Sequence, residues 1–303
     1  MRARATTDQT VNRMSVLILL LACLFGADAS NAEDRSLLSD QLVGREFTYI
    51  VQPGDSLIAI GARLGVGVNI LADSNKLAHN ARLKIAQELQ IDNRHIVPRA
   101  LDNGIVINLP QRMLYLFKEG QALRAYPVAL GKPDWQTPGG RFKIAVKVEN
   151  PVWEVPKSIQ EEMRQNGKDV ETCIPPGPDN PLGKHWLGLS ISGYGIHGTI
   201  APASIYQFQT HGCIRLHPDD VAELFPVVER GTAVLLLYRR LLIARIGDRV
   251  YLEVHHDIYG KQPSVELELR QLAERENFAP RIDWSRAEDI IRKQAGIARD
   301  VTQ

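Results

Sequence analysis

The sequence predicts a mainly β protein of the α+β class, with a small βααβ unit ahead of the main β domain and a short helical extension behind it. Three observations carry that expectation. Residues 104–131 hold three strand-period runs separated by turn residues, Pro- and Gly-rich stretches at 137–140 and 175–183 punctuate further short strands, and helical periodicity is confined to short segments. With 303 residues, 44% of them hydrophobic, the chain can hold more than one domain and at least one sizeable core. Lys and Arg total 36 against 35 Asp and Glu, a net charge of +1, so no large field argues for nucleic acid or an acidic surface as a partner.

The first residues read as an address. Arg2, Arg4 and Arg13 precede the apolar run MSVLILLLACLFG, and small-residue cleavage patterns follow at 27–29 and 30–32. This predicts a signal peptide over residues 1–32 and hence an exported, periplasmic protein. The run is shorter than the ~20 residues a spanning helix needs, which disfavours an uncleaved anchor. Lipidation at Cys23 is a second alternative, with Leu21 a poor fit to the usual lipoprotein box. Export leaves Cys173 and Cys213. An oxidising compartment allows a bridge between them, but a chain of this length needs no staple, and a reduced, reactive Cys213 suits its neighbours better. Cys173, beside Ile174 and Pro175, reads as packing.

In FTYIVQPGDSLIAIGARLGVGVNILADSN, residues 47–75, a short β run ends at the Pro53–Gly54 turn. Asp55 or Ser56 then caps a helix with Leu57, Ile60 and Leu64 on one face, and Gly65 stops it. A second short helix through Ile70 and Leu71 and a strand at 88–92 complete a βααβ unit. Tyr49 to Gly65 matches the pattern YxVQPGDSLxxIAxxxG nearly throughout, with Gly61 in place of its alanine, and so resembles the opening of a LysM domain, placed here at 45–94. The resemblance implies binding of N-acetylglucosamine-containing glycans. Where that family usually places Pro-Gly before its last strand, this chain has Ile85 and Ala86, and alanine enters a left-handed turn only at a cost. A packing or spacer module without sugar affinity is the alternative.

Beyond Pro98 the chain becomes strand-rich. GIVINLPQRMLYLFKEGQALRAYPVALG supplies three runs, with KEGQ at 118–121 as a hairpin turn, and the reading is antiparallel. TPGG at 137–140 punctuates the next strand around Phe142, Ile144 and Val146. PPGPDNPLG at 175–183 reads as an ordered loop, and a strand through Leu187, Leu189 and Ile191 leads to His197.

HGTIAPASIYQFQTHGCIRL, residues 197–216, looks chemical. Cys213 has His211, Gly212 and Arg215 beside it, and a helix begins at Pro218 with His217 near its cap and Val221, Leu224 and Phe225 on the buried face. A thiolate is a nucleophile, and an imidazole such as His197 takes its proton and later returns one to a leaving amine. Gly212 lets a substrate carbonyl approach, and backbone N–H groups from His211 to Cys213 are candidates for an oxyanion hole. Arg215 is placed to hold a carboxylate or to brace the loop. Residue types alone favour a Cys/His acyltransferase or peptidase over a structural cysteine or a metal site, and the metal site is the weaker of those two because neither CxxC nor HExxH occurs.

The HGT…THGCIRL constellation resembles the catalytic domain of the L,D-transpeptidase (YkuD) family, in the branch that includes ErfK and YbiS. IVINLPQRMLYLF, TPGGRF and PPGPDNPLG match further stretches of that domain in order. The resemblance implies a β-sandwich catalytic domain at 102–238, followed by a β/helical extension at 241–303. It implies Cys213 as nucleophile, His197 as proton donor and acceptor, and His211, Thr210 and Gly212 shaping the catalytic loop, with Thr210 and Arg215 toward substrate. The implied donor is a peptidoglycan tetrapeptide stem, attacked at the carbonyl that precedes its terminal D-Ala to release D-Ala and leave a thioester. An amine resolves it, as a 3-3 crosslink or by attaching an outer-membrane lipoprotein; water gives a carboxypeptidase. A wall-binding protein with an inert catalytic domain is the rival of another class.

No GxxxxGK[ST] loop occurs, GVGVN at 65–69 lies inside the LysM-like segment, and no cofactor, metal or nucleotide is expected. His185, His217, His255 and His256 lack partners at metal-ligand spacing and read as structural or solvent-facing. Tyr194, close to His197, either lines the cleft or packs as a strand aromatic. Residues 246–260 read as a hairpin or edge strand extending the β domain, and VELELRQLAERENF and DWSRAEDIIRKQAGI as amphipathic helices.

Overall fold

The structure is a computed structural model that describes residues 38–261 and 264–303. The expected signal peptide, with Cys23, lies outside those residues. Two short strands, β1 (Leu38–Ser39) and β2 (Leu42–Val43), lead into β3 (Glu46–Ile50). Helix α1 (Leu57–Leu64) starts because the Ser56 Oγ accepts from the Ala59 N–H at 3.2 Å, and ends because Gly65 adopts φ 70°. After α2 (Val68–Ser74), strand β4 (Glu88–Asp92) pairs antiparallel with β3. Val51, Leu57, Ile60, Leu71, Leu89 and Ile91 form the shared core. The turn before β4 is made without glycine. Ala86 sits at φ 64°, tied by its N–H to the Val51 carbonyl at 2.9 Å, so the strain of about 1–2 kcal/mol is borne and the backbone path is kept.

Strand β5 (His95–Ile96) pairs with β2. The main sheet then begins with β6 (Gly104–Asn108), β7 (Met113–Lys118) and β8 (Gln121–Gly131), and continues through β9 (Gly140–Glu149). A side excursion follows: β10 (Trp153–Glu154), helix α3 (Lys157–Gln165) and β11 (Cys173–Ile174), with β10 and β11 paired. Next come β12 (His185–Leu189), β13 (Gly195–His197), β14 (Phe208–Thr210), β15 (Ile214–Leu216), helix α4 (Pro218–Leu224) and β16 (Ala233–Leu237). The nine strands run in the order β14-β8-β15-β13-β12-β9-β16-β6-β7, and β7 pairs back to β8, so the sheet folds over on itself. Ile105, Leu114, Val128, Leu187, Ile196 and Ile214 fill its interior.

The antiparallel reading of residues 104–131 holds, since β6–β7 and β7–β8 pair antiparallel. Elsewhere β13–β15, β14–β8 and β16–β6 are parallel, because the connections that separate these strands are long enough for a crossover. Helix α3 was not foreseen. Cys173 is exposed on β11 rather than packed, and both it and Cys213 are free thiols. Finally, the terminal hairpin of β17 (Leu241–Ile246) and β18 (Arg249–Val254) does not extend the main sheet. It makes a second sheet in the order β1-β17-β18-β19, where β19 is Arg299–Asp300. Its apolar face, with Ile243, Leu252 and Val254, packs against α5 (Val265–Arg275) and α6 (Trp284–Lys293) to give a core of its own.

One carboxylate stitches these parts. Glu253 of β18 is fully buried and accepts from His95 Nδ1 (2.8 Å), the Ile96 N–H (2.6 Å), Gln111 Nε2 (2.9 Å) and His255 Nε2 (2.8 Å). His95 Nε2 in turn bonds the Gly65 carbonyl at the end of α1 (2.8 Å).

Candidate active site

The sheet register places the chemistry. His197 ends β13 and lies opposite Arg215 on the parallel strand β15, and Cys213 precedes Arg215 by one full pleat. Paired residues share a face of the sheet, so His197 and Arg215 rise together, and Cys213, just ahead of β15, opens into the same cavity. All three line a cavity of about 540 Å³, roofed by Trp153 and Ile159 of the side excursion and walled by Pro181 and Trp186. Larger cavities of about 720 and 750 Å³ exist elsewhere, but neither contains Cys213 or His197. The chemistry therefore singles out the smaller one.

His197 is buried, stacked on Trp186 with ring centroids 5.8 Å apart. Its Nδ1 lies 2.7 Å from the Gly198 carbonyl, which fixes the proton on Nδ1 and leaves Nε2 as the basic nitrogen of the neutral ring. Burial, reinforced by the Arg215 charge and only partly opposed by the Gly198 and Leu182 carbonyls, pulls its pKa down to about 3. Cys213 is half-buried with Sγ 3.5 Å from the Gly193 carbonyl. Burial pushes its thiol up, against the weaker pull of the Gly195 N–H and Arg215. The resting pair is thus thiol and neutral imidazole, and a thiolate forms only as a base takes the proton.

Residues 102–236 match the family model for the L,D-transpeptidase catalytic domain, and residues 49–92 match that for the LysM domain. Among curated relatives, the chain is 31% identical over 228 residues to the "Probable L,D-transpeptidase YcfS" of Escherichia coli, covering 73% of this chain and 71% of that one. The chain belongs to the L,D-transpeptidase family. It is also 26% identical over 274 residues to the "Probable L,D-transpeptidase ErfK/SrfK" of Salmonella typhimurium, covering 86% of this chain and 88% of the relative. It is similar to the solved catalytic domain of an E. faecium L,D-transpeptidase acylated by ertapenem, at 26% identity over 45% of this chain and 97% of that one, with a TM-score of 0.35. The function is that of an L,D-transpeptidase, an enzyme acting on peptidoglycan.

Around Cys213 of this L,D-transpeptidase the loop residues take distinct places. Gly212 has φ 105°, and a Cβ there would meet the Tyr194 ring at 2.7 Å, so only glycine fits. Tyr194 accordingly backs the loop and packs on the core rather than lining the cavity. Thr210 Oγ1 donates to the Cys213 carbonyl (2.7 Å) and accepts from the Gly212 N–H (3.2 Å), so its hydroxyl is used within the loop. Among the described residues, the N–H groups of His211 and Cys213 donate to no protein acceptor. Arg215 Nη1 bonds Ser204 Oγ at 2.9 Å, while its buried Nε has no partner among the described residues.

Sequence reasoning missed Glu162. On α3 it accepts from His211 Nε2 at 2.5 Å, a hydrogen bond that holds its carboxyl below the usual range, and it also faces Lys132 at 3.5 Å. Trp135 meets the His211 ring edge-on with centroids 4.9 Å apart. A carboxylate in a polar nine-residue helix carries no signal of which loop it will touch. Of the other histidines, His185 packs on Phe225, His217 caps α4, His255 joins the Glu253 cluster and His256 is exposed.

Proposed function

We propose that Cys213 is the nucleophile and His197 the proton carrier of a two-step acyl transfer. The observation that carries this reading is the shared cavity, lined by both Cys213 and His197, with the Gly198 carbonyl on His197 Nδ1 leaving Nε2 as the base. His197 Nε2 takes the thiol proton as Sγ attacks the carbonyl that precedes the terminal D-Ala of the stem. The Cys213 N–H stabilises the oxyanion, with the His211 N–H beside it. On collapse the C–N bond breaks, the imidazolium gives its proton to the departing D-Ala amine, and a thioester remains. An acceptor amine then attacks, His197 takes that proton, the new C–N bond forms and the thiol is restored. Exchange through a thioester conserves the energy of the cleaved amide without a nucleotide.

The unpartnered Nε of Arg215 suits a stem carboxylate, and bidentate geometry at a guanidinium favours that group. The LysM domain, with its turn intact, supports glycan binding next to the catalytic sheet. The acceptor is a second stem, giving a 3-3 crosslink, or an outer-membrane lipoprotein, and the site of action is the periplasm.

The test is mass spectrometry of the mature protein with disaccharide-tetrapeptide, alongside Cys213→Ala and His197→Ala. A dimer lacking one D-Ala, absent in both variants, is expected. D-Ala release without dimer replaces the stem acceptor by water or a lipoprotein, and turnover by Cys213→Ala overturns the assignment.

A further inference from the structure

The TPGG stretch takes no part in the chemistry above, yet its threonine is fully buried directly behind the nucleophile's loop. Thr137 Oγ1 donates to the Gly212 carbonyl at 2.9 Å and accepts from the Gly131 N–H at 2.9 Å. The Thr137 N–H donates to Tyr259 Oη at 3.3 Å, and Tyr259 Oη donates to the Gly131 carbonyl at 2.6 Å. The Tyr259 N–H is itself held by Tyr238 Oη (2.9 Å), which donates to Asp257 Oδ1 (2.6 Å). A chain of hydrogen bonds therefore runs from the C-terminal extension, outside the family-matched residues 102–236, to the peptide bond that joins Gly212 to Cys213.

That peptide bond is trans and planar, so its C=O and N–H point in opposite directions. Fixing the Gly212 carbonyl on Thr137 aims the Cys213 N–H the other way. The two Thr210 bonds hold the Gly212 N–H and the Cys213 carbonyl, the groups on either side, and leave this plane to Thr137. Gly212, at φ 105°, gives the plane no side-chain restraint of its own. We propose that Thr137, held in place by Tyr259, is the positioning residue that aims the Cys213 N–H as the oxyanion donor. The proposal rests on the reading of Cys213 as nucleophile. It assigns the TPGG threonine a task, and it makes the C-terminal extension part of the catalytic geometry rather than a cap.

Two reactions of the same sulfur separate aim from mere integrity. Alkylation of Cys213 by iodoacetamide displaces iodide at a saturated carbon and develops no oxyanion; acylation by disaccharide-tetrapeptide, read as D-Ala release, does. In the full mature chain, Thr137→Val should lower acylation by about 10²–10³-fold, the usual loss of one oxyanion donor, with KM little changed and alkylation within about twofold. Thr137→Ser keeps the hydroxyl and should restore most of the rate. Tyr259→Phe removes one oxygen from a remote part of the chain and should lower acylation by a smaller factor, about tenfold, again sparing alkylation. Equal loss of both reactions in Thr137→Val and Tyr259→Phe, or acylation unchanged in both, overturns the proposal. Should Thr137→Val fail to fold, Tyr259→Phe and Thr137→Ser alone decide it by the same ratio. D-Ala release that persists in Cys213→Ala instead overturns the nucleophile assignment beneath, a result the alkylation ratio does not produce.

Discussion

Two buried histidines at two junctions of this protein make opposite use of burial. His95 and His197 are both enclosed, and each has Nδ1 within 2.8 Å of an oxygen. His95 faces the Glu253 carboxylate on one side and the Gly65 carbonyl on the other, so both ring nitrogens donate and the ring carries a proton. Burial opposes that charge, but Glu253 outweighs it and raises the His95 pKa. Burial would likewise raise Glu253, yet His95 and His255 pull it down to about 2. His197 has no carboxylate to oppose burial, which together with the Arg215 cation outweighs the Gly198 and Leu182 carbonyls and keeps the ring neutral. A carboxylate partner locks a buried histidine into structure; a carbonyl orients it and leaves it free to accept.

The largest effects should come from removing the reactive pair. Cys213→Ala abolishes D-Ala release, and His197→Ala lowers it by about 10²–10⁴-fold, the usual contribution of a positioned acid–base group, as read by single-turnover assays with disaccharide-tetrapeptide. The pH profile of kcat/KM breaks or sharpens the contrast more finely. With His197 at about 3 and the Cys213 thiol raised, the free enzyme keeps its thiol–imidazole form throughout pH 5–8, and the profile is flat there. A limb with midpoint near 6.5 that disappears in His197→Ala would place His197 with His95 after all.

Glu253→Ala attacks the other histidine. Removing one partner of a buried ion pair leaves His95 uncompensated and should cost about 3–5 kcal/mol in urea unfolding. The pH dependence has a definite sign. Stability from the depressed Glu253 is present above its unfolded value of 4.5 and is lost as pH falls toward about 2; stability from the raised His95 is full below 6.5 and fades as pH rises through its folded value. His197, depressed, acts in the reverse sense, costing stability as pH falls from 6.5 toward 3. Glu253→Gln should therefore lose the acid-side slope near pH 2–4.5 while retaining that of His197.

What was legible in the sequence is what local pattern carries. The α1 cap at Ser56, its stop at Gly65, the KEGQ hairpin and the close spacing of His197 and Cys213 are each written in neighbouring residues. What was not legible depends on partners far apart in the chain. Nothing near Glu253 announces His95, nothing in TPGG announces Gly212, and α3 has no buried residue to give it an apolar face, so Glu162 escaped notice. Parallel pairing was missed for the same reason, since alternation fixes which face is buried and not which strand lies alongside.

The smallest effect should fall on the ion pair at the rim between the βααβ unit and the main sheet, exposed on its Arg63 side and buried on its Asp220 side. Arg63 on α1 reaches Asp220 on α4 at 2.9 Å, with the Arg63 side chain 47% exposed. Burial raises the Asp220 pKa and Arg63 only partly offsets it, so the pair is weakly bound even where it is dry. Arg63→Ala should cost under about 1 kcal/mol in urea unfolding, and less at high salt, because solvent and counterions screen the guanidinium. The buried node is indifferent to salt. If Arg63→Ala instead destabilised the protein as much as Glu253→Ala, docking of the βααβ unit would rest on its rim, and the contrast between locked and screened charge would fail at this junction.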